Sequence, residues 1–473
     1  MKKLNVLISC LVFVLGVVVG ILGMSIHNSL SEDTKTTTTT KQELSVEEEI
    51  LNLIREISLY YTNDDVLLEG ALKGIVASLD DPFSSYMNLK EYEEVDNRLN
   101  QKFYGIGVGV TQVGPYPMIV RIYEDSPAEQ AGLQVGYRIK TVDGTDVKDL
   151  SVDDVAALIR GPENTERVIG VFTTNPDEVT TYNIIIKKVD VKTVSYDYFT
   201  INDKKVGYLK IDSFMENTPK EVEKAMEYLE GERIDHLIID VRSNPGGLLS
   251  SVRSTLDYFI NMDEPFMYAE YRDEVLDEYK LFNVYTHEVT YDIKVLIDEN
   301  SASAAEIFAA VMNEIGHYDL YGKTTYGKGT MQVTYPVQGV HFVKITTARW
   351  LTPSKQWIHG KGVNPTIEVE QEGYQNLAYI NGFETIEYDH VGEAIKHVQI
   401  LLNCLGYEVR SDGYFDNDTL EAIKDYQNSK GLEVTGVVDH ATAYYLNLDL
   451  FSYIGNKEFD TQYQRVLSDI LGS

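Results

Sequence analysis

Hydrophobic and polar positions follow several different rhythms along the chain. After Met1-Lys2-Lys3, residues 4–26 form an apolar run without a charged side chain. That run is long enough to span a bilayer. It exceeds the apolar core of an ordinary signal peptide, and no Ala-x-Ala cleavage site follows it. Cys10 has too few apolar residues before it for a lipoprotein cleavage site. The expectation is an uncleaved single-pass anchor over residues 1–26, with the lysine-bearing end inside and the rest exported. Residues 27–44 are polar, with consecutive threonines at 36–40, and read as a solvated linker.

A helical rhythm begins at Ser45. Ser45-Val46-Glu47-Glu48 is a capping box, and Ile50, Leu53, Ile54 and Ile57 mark one apolar face. A second helix is predicted over 65–78, ending before Asp80-Asp81-Pro82-Phe83-Ser84. Residues 45–97 are therefore expected to form a small helical bundle. Over residues 98–189 the rhythm changes to strands and turns. Tyr104-Gly105-Ile106-Gly107-Val108-Gly109-Val110 alternates glycine with apolar residues, and such a strand can leave backbone N–H groups free at its start. Residues 190–370 alternate strand and helix, the pattern of an α/β domain. Its predicted strands include 206–211, 236–241 and 293–297, and its helices 219–229 and 302–315. Residues 388–448 form a separate unit. Val398, Leu401, Leu402 and Leu405 lie on one helical face that stops at Gly406; Leu420, Ile423 and Tyr426 lie on another. A last amphipathic stretch, 463–471, has no assigned role. The predicted fold class is a multidomain α+β chain: anchor, helical segment, β-rich module, α/β domain and small helical C-terminal domain.

Composition narrows the function. A hydrophobic content of 43% supports packed cores, and 473 residues suit several domains. The net charge of −33 argues against nucleic-acid partners. The only cysteines, Cys10 and Cys404, provide no disulfide framework. No His, Cys or carboxylate cluster has metal-ligand spacing, so neither a metal nor an organic cofactor is expected.

The candidate chemistry lies between 293 and 332. The apolar strand 293–297 runs into Asp298-Glu299-Asn300-Ser301-Ala302-Ser303-Ala304-Ala305-Glu306-Ile307, so Ser303 sits at the mouth of a strand-to-helix turn. Free N–H groups at a helix start can hold a developing oxyanion. A serine hydroxyl also needs a base. The nine histidines are scattered, and His317 and His341 read as structural. Lys328, between Gly327 and Gly329, is the stronger candidate. Flanking glycines permit a close backbone approach, and burial would favour the neutral amine. Gly322 through Lys328 also has phosphate-loop spacing. However, Gly329 stands where a magnesium-binding Ser or Thr belongs, and a strand-like stretch follows in place of a helix.

Ser301-Ala302-Ser303-Ala304-Ala305-Glu306-Ile307 and Tyr326-Gly327-Lys328-Gly329-Thr330-Met331-Gln332 resemble the C-terminal processing (tail-specific) serine peptidases. The resemblance extends over roughly residues 45–370. Lys328 follows Ser303 by 25 positions, as in the family motif. It departs at Asn300, where Gly is usual, and at Ala305, where Ser is frequent. The resemblance implies Ser303 as nucleophile, Lys328 as general base and Gln332 as the residue that orients the lysine. It also implies an oxyanion hole from the amide of Ala304 and a glycine of Asn244-Pro245-Gly246-Gly247. Gly246 is the preferred glycine; the sequence does not decide between it and Gly247. Residues 98–189 resemble a PDZ domain, which would capture a peptide C-terminus at Tyr104, Gly105, Ile106 and Gly107. Residues 388–448 resemble the three-helix peptidoglycan-binding domain. The implied protein is a membrane-anchored serine endopeptidase on the outer face of a bacterial membrane, near the cell wall. Its implied partners are proteins with apolar C-termini, peptidoglycan, and a possible second copy of the chain. Two alternatives remain: an inactive PDZ and wall-binding scaffold, which the intact Ser303, Lys328 and Gln332 disfavour, and a peptidoglycan hydrolase, for which no paired-carboxylate or zinc motif is present.

Overall fold

The computed structural model describes residues 45–61, 63–101, 103–285, 289–371, 373 and 377–472. The expected anchor and linker, 1–44, lie outside the described residues. Among the described residues, no helix is long and apolar enough to cross a membrane. The chain divides into two compact units, residues 1–71 and 72–473.

In the first unit the helix Val46–Ile57 starts at Ser45, whose predicted capping box is formed. The helix ends near an exposed ion pair, Arg55 to Asp64 at 2.7 Å. Its Ile50, Leu53 and Ile57 remain more than half exposed. The following helix, Asp64–Ala77, buries only Val76. Among the described residues, these two helices therefore do not form the expected bundle core. Two short helices with narrow apolar stripes leave these side chains uncovered.

The second unit is built on a six-stranded sheet. Its order is Val194–Ile201, Lys204–Ile211, His236–Asp240, Asp292–Ile297, Asp319–Gly322 and Ile367–Glu368. The first pair is antiparallel and the remainder parallel. Parallel strands with both faces covered read as continuous apolar runs, which explains residues 237–241 and 293–297. One face buries Leu209, Ile211, Leu237, Ile239, Val295 and Ile297. These pack on the helices Thr218–Gly231, Leu249–Phe259 and Ala304–Glu314. The opposite face presents Val206, Tyr208, Ile238, Leu296 and Tyr321. It is covered by Tyr463, Val466, Leu467 and Ile470 of the C-terminal helix Thr461–Leu471. The amphipathic stretch at 463–471 thus completes the α/β core from the far end of the chain. Each such buried side chain contributes roughly 1.5–3 kcal/mol.

A second, five-stranded sheet holds Ser85–Asn88, Pro265–Tyr271, Leu276–Lys280, Thr330–Val337 and His341–Leu351. Ser85–Asn88, which falls in the region expected to be helical, pairs with His341–Leu351. The segment just before it, 81–84, is thereby carried to the site described below.

Residues 103–189 form the β module, with strands ordered Val108–Val113, Tyr116–Ile122, Arg138–Val142, Glu166–Phe172 and Thr180–Ile185. The C-terminal module contains the helices Glu393–Cys404, Asn417–Ser429 and His440–Gly455. Their shared core includes Val398, Leu402, Ile423 and Leu446. This module is fastened to the β module. Arg138 donates to the carbonyls of Ile380 and Asn381 at 3.2 and 2.7 Å. The ring of Phe383 packs on Tyr116 and Phe172.

Candidate active site

Strand Asp292–Ile297 delivers the chain to a tight turn. Ser301 Oγ donates to the carbonyl of Val241 at 2.9 Å, and the Ala302 amide donates to the carbonyl of Asn244, also at 2.9 Å. These bonds tie the turn to the end of the neighbouring strand. Ser303 then adopts φ 56° and ψ −113°, a left-handed conformation that a non-glycine residue rarely takes. The helix Ala304–Glu314 begins at the next residue. The geometry is that of a strained strand-to-helix turn with one serine at its apex, the shape that nucleophile elbows take.

Glu306 fixes this turn. Its side chain is fully buried, yet each carboxylate oxygen is satisfied. Oε2 accepts the amides of Ser303 and Lys328, both at 2.8 Å. Oε1 accepts the Gly327 amide and the Thr325 hydroxyl, both at 2.6 Å. One carboxylate therefore joins the serine elbow to the glycine-flanked lysine loop. Charge-assisted bonds of this kind are about twice as strong as neutral ones. The loop is held from its other side by indole donors: Trp350 Nε1 to the Lys328 carbonyl and Trp357 Nε1 to the Gly329 carbonyl, both at 2.9 Å.

The side chain of Lys328 is half-buried. Its Nζ lies 4.9 Å from the centroid of the Phe83 ring. Burial lowers its pKa and the positive Lys344 adds to this, while Asp81 and Glu306 pull the other way; the net direction is down. Among the described residues, Lys328 Nζ makes no hydrogen bond to Ser303 or Gln332. The amide of Gln332 instead donates to Thr330 and Thr346 hydroxyls at 3.0 and 3.1 Å. The structure brings the backbones of Ser303 and Lys328 together through Glu306 without a hydrogen bond between their side chains.

The turn Asn244-Pro245-Gly246-Gly247 lies against the elbow. A Cβ on Gly246 would stand 2.8 Å from Ser303 Cβ and 2.9 Å from the Ala304 nitrogen, and φ is +97°. Only glycine fits there. The Gly246 amide, however, donates to Asn244 Oδ1 at 2.8 Å. The preference for Gly246 as the oxyanion donor therefore meets an amide that is already engaged. Among the described residues, the amides of Gly247 and Ala304 have no protein acceptor.

The chain is 34% identical to carboxy-terminal processing protease CtpB of Bacillus subtilis over 405 residues, covering 85% of this chain and 84% of that protein. It is also 34% identical over 418 residues to carboxy-terminal processing protease CtpA of the same organism, covering 87% of each. The chain belongs to the carboxy-terminal processing proteases. As a member it is a serine-type peptidase. A probable CtpA-like serine protease of Staphylococcus saprophyticus is 30% identical over 387 residues, 81% of this chain and 77% of that one. The model of peptidase family S41 matches residues 205–369. A PDZ domain matches 118–171, a putative peptidoglycan-binding domain 391–446, and an activating protease CtpB N-terminal domain 20–91.

Within this processing protease, the sequence-based peptide site lines one groove of the PDZ domain. Tyr104, Gly105, Ile106 and Gly107 face it together with Ile159 and Arg160. Tyr104 and Gly105 pair with Lys188 and Lys187, whereas Ile106 and Gly107 lie beyond that ladder. Sequence reasoning missed Glu306, Thr325 and Phe83. Glu306 carried a signal: Ser303-x-x-Glu306 has capping-box spacing. The cation–π partner Phe83 carried none, because it arrives from 220 or more positions upstream through Ser85–Asn88.

Proposed function

We propose that this processing protease is an endopeptidase using a Ser303–Lys328 dyad. Neutral Lys328 takes the Ser303 proton as Oγ attacks the scissile carbonyl, and returns it to the leaving amine. Gln332 orients the lysine amine once substrate is bound. Ala304 and Gly247 supply the oxyanion amides; Gly247 is assigned because the Gly246 amide serves Asn244. The observation that carries this reading is the Glu306 carboxylate. It spans the elbow of Ser303 and the loop of Lys328, and both of its oxygens are already engaged by four donors of that turn and loop.

Substrate proteins enter by their C-termini. The groove at Ile106 and Gly107 offers backbone amides beside an apolar wall, which suits a free carboxylate on an apolar residue. The apolar run at 4–26 and the peptidoglycan-binding domain support a place on the outer side of a bacterial membrane, near the wall. The exposed apolar stripe of Val46–Ile57 supports contact with a second copy. A fluorophosphonate label tests the central reading. Modification should map to Ser303 and vanish in Lys328→Ala; labelling elsewhere would refute the dyad.

A further inference from the structure

Arg242 stands between the central sheet and the oxyanion turn. It follows strand His236–Asp240 and directly precedes Ser243-Asn244-Pro245-Gly246. Its guanidinium bonds Asp240 twice, Nη2 to Oδ2 at 2.6 Å and Nε to Oδ1 at 3.0 Å. It also forms a two-pronged pair with Asp460: Nη1 to Oδ1 at 2.8 Å and Nη2 to Oδ2 at 2.7 Å. Gln462 Oε1 accepts a further bond from Nη1 at 3.1 Å. All three charged side chains are largely buried. Asp240 is also bound by the Tyr208 hydroxyl at 2.8 Å. Burial opposes the ionisation of Asp240, but Arg242 and Lys210 overcome it and hold the carboxyl below its ordinary range.

Asp460 does a second job. It caps the C-terminal helix Thr461–Leu471, accepting the Tyr463 amide at 3.0 Å. A short 3-10 turn, Lys457–Phe459, separates it from the last helix of the peptidoglycan-binding module, His440–Gly455. On the other side of Arg242, the turn grips the nucleophile loop. The Ser243 amide and hydroxyl donate to the Asp298 carboxylate at 2.8 and 3.0 Å. The carbonyls of Val241 and Asn244 accept bonds from Ser301 and Ala302. A continuous set of polar contacts, buried around Arg242 and reaching the surface at Ser243, thus runs from Asp460 through Arg242 to the turn that flanks Ser303.

We propose that Asp460 and Arg242 are positioning residues for catalysis, through which the C-terminal helix holds the oxyanion turn in register with Ser303. The wall-binding module is joined to this helix through Lys457–Phe459. Its position therefore bears on catalytic competence and not only on where the enzyme sits. The proposal rests on the Ser303–Lys328 reading. It goes further by assigning a catalytic cost to residues remote from the reacting atoms. Removing Asp460 leaves Arg242 paired with Asp240, so the fold keeps its buried charge compensated. What is lost is the second anchor that fixes the guanidinium and the backbone carrying it.

The test compares two anchors of the same helix in the full chain. Asp460→Asn removes the charge and one of the two acceptors of the Arg242 anchor. Asp469→Asn weakens a different one, the bond from the Tyr321 hydroxyl at 3.1 Å, and removes the charge that pairs with Arg465 on the same helix. Cleavage of an unstructured apolar-tailed peptide and the rate of fluorophosphonate labelling are measured, with Ser303→Ala as the zero. Asp460→Asn should lower kcat and the labelling rate by about 10-fold or more with KM nearly unchanged; Asp469→Asn should stay within about twofold. Combining Asp460→Asn with Arg242→Gln should cost no more than Arg242→Gln alone, because the two act as one unit. Equal losses in both helix variants, or none in either, would overturn the proposal and leave a plain packing role. Should Asp460→Asn fail to fold, Gln462→Ala, which deletes a single acceptor of Arg242, replaces it. A several-fold fall in kcat is then expected, and an unchanged kcat contradicts the coupling. If Ser303→Ala itself cleaves the peptide, the dyad reading fails instead, whatever the helix variants do.

Discussion

Ser303 and Lys328 donate their backbone amides to the same oxygen of Glu306, each at 2.8 Å. The proposed nucleophile and base are thus tied to one carboxylate through main-chain bonds, with no hydrogen bond between their side chains. Glu306→Gln should break this arrangement. A glutamine has one acceptor oxygen where four donors now converge, and its NH2 would face two of them. Leaving buried donors unsatisfied costs about 1–3 kcal/mol each. The variant should lose about 100-fold in kcat and melt several degrees lower; activity within threefold of wild type would contradict the role.

The acid limb of the pH–rate profile should belong to Lys328. Burial and then Lys344 push its pKa down from the usual 10.5. Activity should be low where the ammonium persists and rise with pH as the neutral amine forms. Lys344→Met removes the positive neighbour and so favours protonated Lys328. The limb should move to higher pH, measured as kcat/KM against pH; a shift to lower pH would show that another group is titrating.

Gly246→Ala should be almost inactive while still binding peptide. Its Cβ would collide with the Ala302 carbonyl at 2.7 Å and with Ser303 Cβ at 2.8 Å, at a φ of +97°. The elbow must move to admit it. A fall of about 100-fold in fluorophosphonate labelling, with unchanged peptide affinity at the PDZ groove, is the expected outcome.

Peptide recognition has its own test. A peptide with a free apolar C-terminus should bind the PDZ domain at least tenfold more tightly than its amidated form if the Ile106 and Gly107 amides take the carboxylate as proposed. Equal affinity by titration calorimetry would remove the assignment.

Much of the α/β domain was legible because its strands are buried on both faces and its helices carry clear stops. The placement of Ser303 at a strand-to-helix turn follows from the apolar run at 293–297 and the periodicity from Ile307 to Ile315. Long-range pairings were not legible. Ser85–Asn88 joins a strand more than 250 residues away. The stretch at 463–471 is too short to reveal its partner, which lies on strands from 204 onward. The choice between Gly246 and Gly247 depends on which amide Asn244 occupies, a local hydrogen bond that spacing does not encode. The helices at 46–57 and 64–77 were correctly placed, yet their apolar faces remain uncovered, since periodicity predicts a face and not its partner.

The central claim is that lysine, and no histidine, activates Ser303. Lys328→Arg tests it most directly. Arginine keeps the charge and much of the length but stays protonated at every accessible pH. The folded Lys328→Arg protein, verified by its melting curve, would be assayed on one unstructured, apolar-tailed peptide beside Lys328→Ala and Ser303→Ala. All three should lose on the order of 10³-fold or more in kcat, and Ser303→Ala with Lys328→Ala should be no worse than either alone. Near-normal cleavage by Lys328→Arg would show that Lys328 is not the base and contradict the account at its centre.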